Sequence, residues 1–192
     1  MTPPGRSQRR RDIILAVLAA GSVFGIGTVL TLAAFTDNGT AESTFSTGNI
    51  DLQLNAQQGN PTPYAFSTLN MTGVGSGTTT YGNLTVSNAG TLPFGYTMST
   101  ALVAGGSADL YGALRVSVKV LTGAVCDATT YAAGPTALLN NVAFSAATLT
   151  SRPLAVAAAE NLCFQVNLPA DAPAITQGQT ATVDFAFIAT QS

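Results

Sequence analysis

From Asn49 onward the chain is a succession of short segments in which apolar and polar residues take turns. Asn49-Ile50-Asp51-Leu52-Gln53-Leu54-Asn55 puts Ile50, Leu52 and Leu54 on one face. Leu114-Arg115-Val116-Ser117-Val118-Lys119-Val120, Leu162-Cys163-Phe164-Gln165-Val166-Asn167-Leu168 and Val183-Asp184-Phe185-Ala186-Phe187 repeat the pattern. A period of two buries one face of a strand and leaves the other polar, as in antiparallel sheets. Further strands are predicted over residues 65–71, 79–87, 93–102 and 138–144. Glycine- and proline-rich turns separate them, among them Gly59-Asn60-Pro61, Asn88-Ala89-Gly90 and Gly134-Pro135. Residues 109–114 predict a helical turn, and the alanine run 155–159 reads as a short helix or a loop. About eight strands in one domain predict an all-β fold, a two-sheet β-sandwich of jelly-roll type. No internal period of the length seen in solenoids and propellers is present.

The first part of the chain follows a different pattern. Arg6, Arg9, Arg10 and Arg11 precede an apolar run that extends from Ile13 to Ala34. A basic start followed by an apolar core is an export signal. At about 1.5 Å per helical residue the run would measure about 30 Å, which is also enough to cross a bilayer. Two readings follow: a cleaved signal peptide over residues 1–33, or a retained membrane anchor. Thr31 and Ala33 supply the small residues signal peptidase needs before a cut between Ala33 and Ala34. The chain turns polar at Thr36-Asp37-Asn38, and the next basic residue is Arg115. These features favour cleavage. The mature protein is then secreted, extracellular or at the cell surface, with membrane contact only through residues 13–33 before the cut.

Charged residues make up only 8% of the chain, against about 25% in average globular proteins. Beyond residue 33 three bases, Arg115, Lys119 and Arg152, stand against eight acids. Such a balance lacks the basic footprint of a nucleic-acid partner. The chain contains no histidine. That excludes a Ser-His-Asp triad, a Cys-His pair, an HExxH zinc site and most other zinc or copper centres. No catalytic residue, cofactor or metal is therefore assigned, and the chain is read as a non-enzyme. Gly73-Val74-Gly75-Ser76-Gly77 lacks the Lys-Ser/Thr ending of a phosphate loop and reads as a flexible turn. Cys126 and Cys163 are the only cysteines. In an exported protein an isolated pair is most simply one disulfide. Closing a loop of this length would stabilise the fold by about 4 kcal/mol in the chain-entropy model. Leu162, Phe164 and Val166 occupy the inward phase of their strand, so Cys163 should point to the opposite face.

Several segments carry a family likeness. Ala33-Ala34-Phe35-Thr36-Asp37 followed by Thr44-Phe45-Ser46-Thr47-Gly48-Asn49-Ile50-Asp51-Leu52 resembles the start of the TasA and camelysin proteins. Leu84-Thr85-Val86-Ser87-Asn88-Ala89-Gly90-Thr91-Leu92 is similar to that family's strand ending in N-x-G-x-L, and the terminal Ala189-Thr190-Gln191 to its closing residues. The resemblance implies a signal cut by a SipW-type signal peptidase, a mature chain beginning at Ala34, and a jelly-roll fold. It also implies assembly into extracellular fibres of the biofilm matrix, in which a freed N-terminal segment adds as a strand to a neighbouring subunit. The metalloprotease activity ascribed to camelysin does not carry over, because no histidine is available for zinc. The two cysteines and the single lysine depart from the family pattern.

The resulting expectation is three segments: signal 1–33, N-terminal arm 34–48 and β-sandwich domain 49–192. An arm tipped by Phe35 and followed by Phe45 can supply a strand to a partner, with main-chain hydrogen bonds giving affinity. Head-to-tail donation does not close on itself and makes filaments. The alternative is a monomeric, membrane-tethered β-sandwich adhesion or ligand-binding module, which Tyr64, Tyr81, Tyr96, Tyr111 and Tyr131 would serve as exposed loop aromatics.

Overall fold

The computed structural model describes residues 10–18, 42–44 and 46–191. The chain divides into two compact units, Met1–Phe45 and Ser46–Ser192. In the first, residues 10–18 form helix α1, with Ile13, Ile14, Leu15, Val17 and Leu18 all exposed. Among the described residues no helix is long and apolar enough to cross a membrane. The expected cleavage point at Ala33 and Ala34, and the arm residues Phe35 and Phe45, lie outside the described residues.

The second unit is mostly β: two antiparallel sheets packed as a sandwich. Its strands are β1 (Leu52–Leu54), β2 (Thr79–Asn88), β3 (Phe94–Leu102), β4 (Arg115–Leu121), β5 (Leu139–Ala143), β6 (Thr148–Leu154), β7 (Ala159–Asn167) and β8 (Val183–Gln191). The wider sheet has the order β1-β2-β7-β4-β5 and the narrower one β6-β3-β8. Two short helices lie between strands: α2 (Ala108–Ala113), in the region predicted to be a helical turn, and α3 (Ala128–Ala133).

Alternation explains the layers. Leu84 and Val86 of β2, Leu162, Phe164 and Val166 of β7, and Val116 and Val118 of β4 line the inner face of the wider sheet. Phe94, Tyr96 and Met98 of β3 meet them from the other sheet, each at most 1% exposed. At one end of the sandwich the buried amide of Asn88 is fully used. Its Nδ2 donates to the carbonyls of Leu92 (2.9 Å) and Leu154 (3.3 Å), and its Oδ1 accepts from Gly90 N–H (2.9 Å). The backbone of residues 49–51 crosses this turn so closely that a Cβ on Gly90 would lie 2.6 Å from the Asn49 carbonyl oxygen. Residues 49–54 and 86–90 are thus neighbours, because β1 also pairs with Val86, Ser87 and Asn88.

Two expectations are corrected. Residues 65–71 are not a strand but an irregular segment with one 3-10 turn, Ser67–Leu69. Its apolar residues Phe66 and Leu69 are three apart, which suits a turn and not a pleat. Strand β6 went unpredicted because Pro153 and a register shift between Tyr96 and Met98 break its alternation, leaving Leu149 and Leu154 inward five residues apart. The run 155–159 is a turn closed by Ala158 N–H donating to the Ala155 carbonyl (3.1 Å), from which β7 starts at Ala159.

Cys126 and Cys163 are bonded, with Cα atoms 5.4 Å apart. Cys163 faces away from the core, as its phase requires, and carries a flap formed by the loop after β4 and α3. Asp127 caps α3 by accepting Thr130 N–H at 2.8 Å. Lys119 on β4 donates to the carbonyls of Tyr131 (2.8 Å) and Gly134 (3.3 Å) at its far end, its ammonium 4.6 Å from the Tyr131 ring centre. The flap seals Cys163 completely and leaves Cys126 half-buried. A reductant can therefore reach only Cys126, and attack there would expel a thiolate into a dry site, where thiolates are disfavoured. The folded protein should accordingly show no free thiols in dithiothreitol until denaturant is added; rapid thiol release from the native state would contradict the flap.

The turn from β1 places both Asn55 (φ 48°) and Ala56 (φ 61°) in the left-handed region. Asn55 uses it: its Oδ1 accepts from Thr85 N–H and its Nδ2 donates to the Tyr64 hydroxyl. Ala56 carries the steric cost without such a return. Ala56→Gly should raise stability by about 0.5–1 kcal/mol, the relieved strain exceeding the added chain entropy; urea unfolding measures it.

Candidate functional site: an unguarded sheet edge

A strand at a sheet edge exposes unpaired N–H and C=O groups that another chain can pair with unless something prevents it. The sandwich has four edges, and three are blunted. β1 has three residues. β5 has five, with Asn141 at φ 50° and a register shift against β4. β6 contains Pro153 and the shift noted above. β8 is nine residues long, pairs without interruption with β3 from Val183↔Leu102 to Gln191↔Phe94, and contains neither proline nor lysine. Its only charged side chain is Asp184.

Beside β8 lies a groove of about 1200 Å³. One wall is Val183–Phe187; the other is the irregular segment with Tyr64, Phe66, Leu69 and Met71. Behind the wall Phe185 meets the buried Phe164 edge-on at 5.3 Å between ring centres, and Phe144, which also lines the groove, lies 5.8 Å from Phe185. Asp184 is the only carboxylate lining the groove, whose walls mix aromatic and aliphatic side chains with neutral polar ones such as Asn60, Asn70 and Thr182. Among the described residues no strand pairs with β8 on the side away from β3.

A second cluster is polar and structural. Glu160 shares the inward phase of Leu162, Phe164 and Val166. It meets Arg152 of β6, whose Nε donates to Oε2 at 2.8 Å and whose Nη2 donates to Oε1, and the buried hydroxyl of Tyr96 of β3. This is the one ion pair among the described residues, and it joins the two sheets. Burial by itself would raise the Glu160 pKa, but the hydrogen bonds from Arg152 and Tyr96 and the Arg152 charge outweigh it and hold the carboxyl below its ordinary range. Burial, then the Glu160 hydrogen bond and charge, push the Tyr96 phenol upward, so it remains a donor. The three groups satisfy one another.

The remaining candidates separate clearly. Among the described residues no three His, Cys, Asp or Glu side chains gather where they could hold a metal ion. Tyr96 is completely buried and Tyr131 nearly so, while Tyr64, Tyr81 and Tyr111 are half-buried, so none of the five stands out from a loop. Tyr111, for example, donates to the carbonyls of Thr100 (3.1 Å) and Phe144 (3.2 Å). The Cys126–Cys163 bond lies on the outer face of the wider sheet and the groove opens beside β8 in the narrower one. The groove itself was not anticipated. The signal for it was the broken alternation at Phe66 and Leu69 between Gly59 and the glycines Gly73, Gly75 and Gly77. No family model matches the chain, and no curated protein matches it by sequence.

Because the Glu160 pKa is lowered on folding, its contribution is fully present above the ordinary carboxyl value of 4.5 and disappears as pH falls through the lowered one. Urea midpoints should therefore drop in acid for the parent protein, and less for Glu160→Gln. At neutral pH Glu160→Ala should cost about 2 kcal/mol by leaving Arg152 and the Tyr96 hydroxyl without their acceptor; an unchanged midpoint would show that the clamp is dispensable.

Proposed function

We propose that this chain is a secreted structural protein of the TasA and camelysin type, a subunit of extracellular matrix or surface fibres that assembles by strand donation. In this reading the sandwich is a jelly-roll variant and residues 1–33 are an export signal removed by a signal peptidase between Ala33 and Ala34. Residues 34–45, led by Phe35 and ending at Phe45, form the donated strand. The observation that carries the proposal is the unguarded edge of β8 beside a groove walled in part by Tyr64, Phe66, Phe185 and Phe187. Extended at about 3.3 Å per residue, twelve residues reach about 40 Å, more than the nine residues of β8 require. Main-chain pairing supplies affinity along β8, and an aromatic side chain of the arm finds Phe185 and its neighbours. The low charge of the chain removes the repulsion that keeps most sheet edges apart. A membrane-tethered adhesion or ligand-binding module gains less support, since the five tyrosines are engaged in packing.

Three changes test the assignment by electron microscopy and sedimentation at equal concentration. Deleting residues 34–45 should leave a folded β-rich domain that no longer forms filaments. Phe35→Asp should weaken assembly by setting a charge against the aromatic wall and near Asp184. Ala186→Lys, on the exposed phase of β8, should slow assembly at least about tenfold by guarding the edge, with little change in stability. Identical filaments from the shortened chain, or a parent protein that stays monomeric at high concentration, would refute donation.

A further inference from the structure

The far wall of the groove is attached to the domain in an unusual way. Among the described residues, no main-chain hydrogen bond joins residues 58–76 to either sheet. The bonds within the segment are local, such as Leu69 N–H to the Phe66 carbonyl (3.2 Å) and Asn70 N–H to that of Ser67 (3.1 Å). What holds it down is side chains. Phe66 packs edge-on against Phe164 (5.3 Å) and Phe185 (5.9 Å), Leu69 covers Gly82 of β2, and Tyr64 accepts from Asn55 Nδ2 (2.7 Å). The segment thus lies beside β8 without pairing with it, and among the described residues β8 has no main-chain partner on that side.

Both ends of the segment are built to turn. Gly59 (φ 64°) stands at one end; Gly73 (φ 62°), Gly75 and Gly77 (φ 85°) stand at the other. A side chain at Gly73, Gly75 or Gly77 would meet nothing within 4 Å, so none of the three is there to admit a close neighbour. Gly75 also lacks a positive φ, and freedom of the backbone is the property left to explain it. Segments held by few side-chain contacts and no ladder open at far lower cost than sheet strands.

We propose that residues 59–76 form a detachable strap over the edge of β8. It swings out about its glycine ends, and a strand from a second copy of this chain takes its place, pairing with β8 and covering Phe164 and Phe185 where Phe66 lay. The identity of the incoming strand, residues 34–45, rests on the fibre reading above; the detachability of the strap does not. The strap would screen Phe164 and Phe185 until the incoming strand takes over that contact.

A covalent lock tests this. A Cβ on Gly82 lies 2.7 Å from Leu69 Cγ, the place a sulfur takes in L69C, so the double variant L69C/G82C can close a disulfide from the strap to β2. Chymotrypsin acts on the secreted parent protein and on the variant, oxidised and reduced, with fragments sequenced. The parent and the reduced variant should be cut first within residues 64–71, and oxidation should slow that cut at least about tenfold. The same samples are titrated with a synthetic peptide of residues 34–45, which only the unlocked forms should capture. Strap cleavage no faster than that of the rest of the domain, or unaffected by the lock, would overturn the strap. Capture of the peptide by the oxidised variant would overturn it as well. A strap that opens normally in protein that captures no peptide would instead refute donation by residues 34–45, and with it the proposed exchange.

Discussion

The structure depends on a mismatch of widths. A sheet of five strands presents its apolar inner face to a sheet of only three, and apolar surface left to water costs about 25 cal/mol for each Å². The chain covers the excess with whatever lies nearby. Phe144 follows β5, Leu110 and Tyr111 come from α2, and Tyr64 and Phe66 come from the segment before β2. Where such pieces fit against a strand by side chains alone they satisfy the hydrophobic requirement and leave the hydrogen-bonding requirement of the edge unmet. That is the physical origin of the groove at β8.

Charge plays a small and local part in holding the layers together. With 8% of residues charged, the fold relies on buried apolar contacts plus a few polar ties at fixed points. Asn88 joins β2 to the end of β6, Arg152 and Glu160 join β6 to β7, and Tyr96 brings in β3. Each tie spans the two sheets and sits at the same end of the sandwich, where β6 ends and β7 begins. The disulfide acts elsewhere, on the outer face, where it holds a flap over β7 that has no share in the inner core. Stability and the candidate interface are thus separated in the fold: the polar ties lie toward the Asn88 turn, and the groove reaches the opposite, Val183 end of β8.

The four edges show the same economy. Natural sheets commonly protect edges with lysine or inward charge, and this chain has one lysine, which it uses to cap α3. Shortness, a proline, a bulge and a left-handed asparagine protect the others. β8 has none of these, and its regularity is of a kind that suits pairing with another chain.

What the sequence determined by itself was whatever depends on neighbours along the chain. Strict alternation located β1, β4, β7 and β8, the segments between turn signals added β2, β3 and β5, and the phase of Leu162, Phe164 and Val166 sent Cys163 to the outer face. It also carried the absence of histidine and an apolar run that follows four arginines. Tertiary structure decided the rest, because the deciding partners are remote in sequence. β6 is a strand despite Pro153 because β3 pairs with it, and Glu160 points inward because Arg152 and Tyr96 await it. Phe66 belongs to the core although its segment is no strand, since only the packed sandwich creates the space between Phe164 and Phe185. Whether an edge is open is likewise a property of the whole assembly of strands: hydrogen bonds and burial are completed across the fold, and a local pattern can require a partner without saying which one arrives.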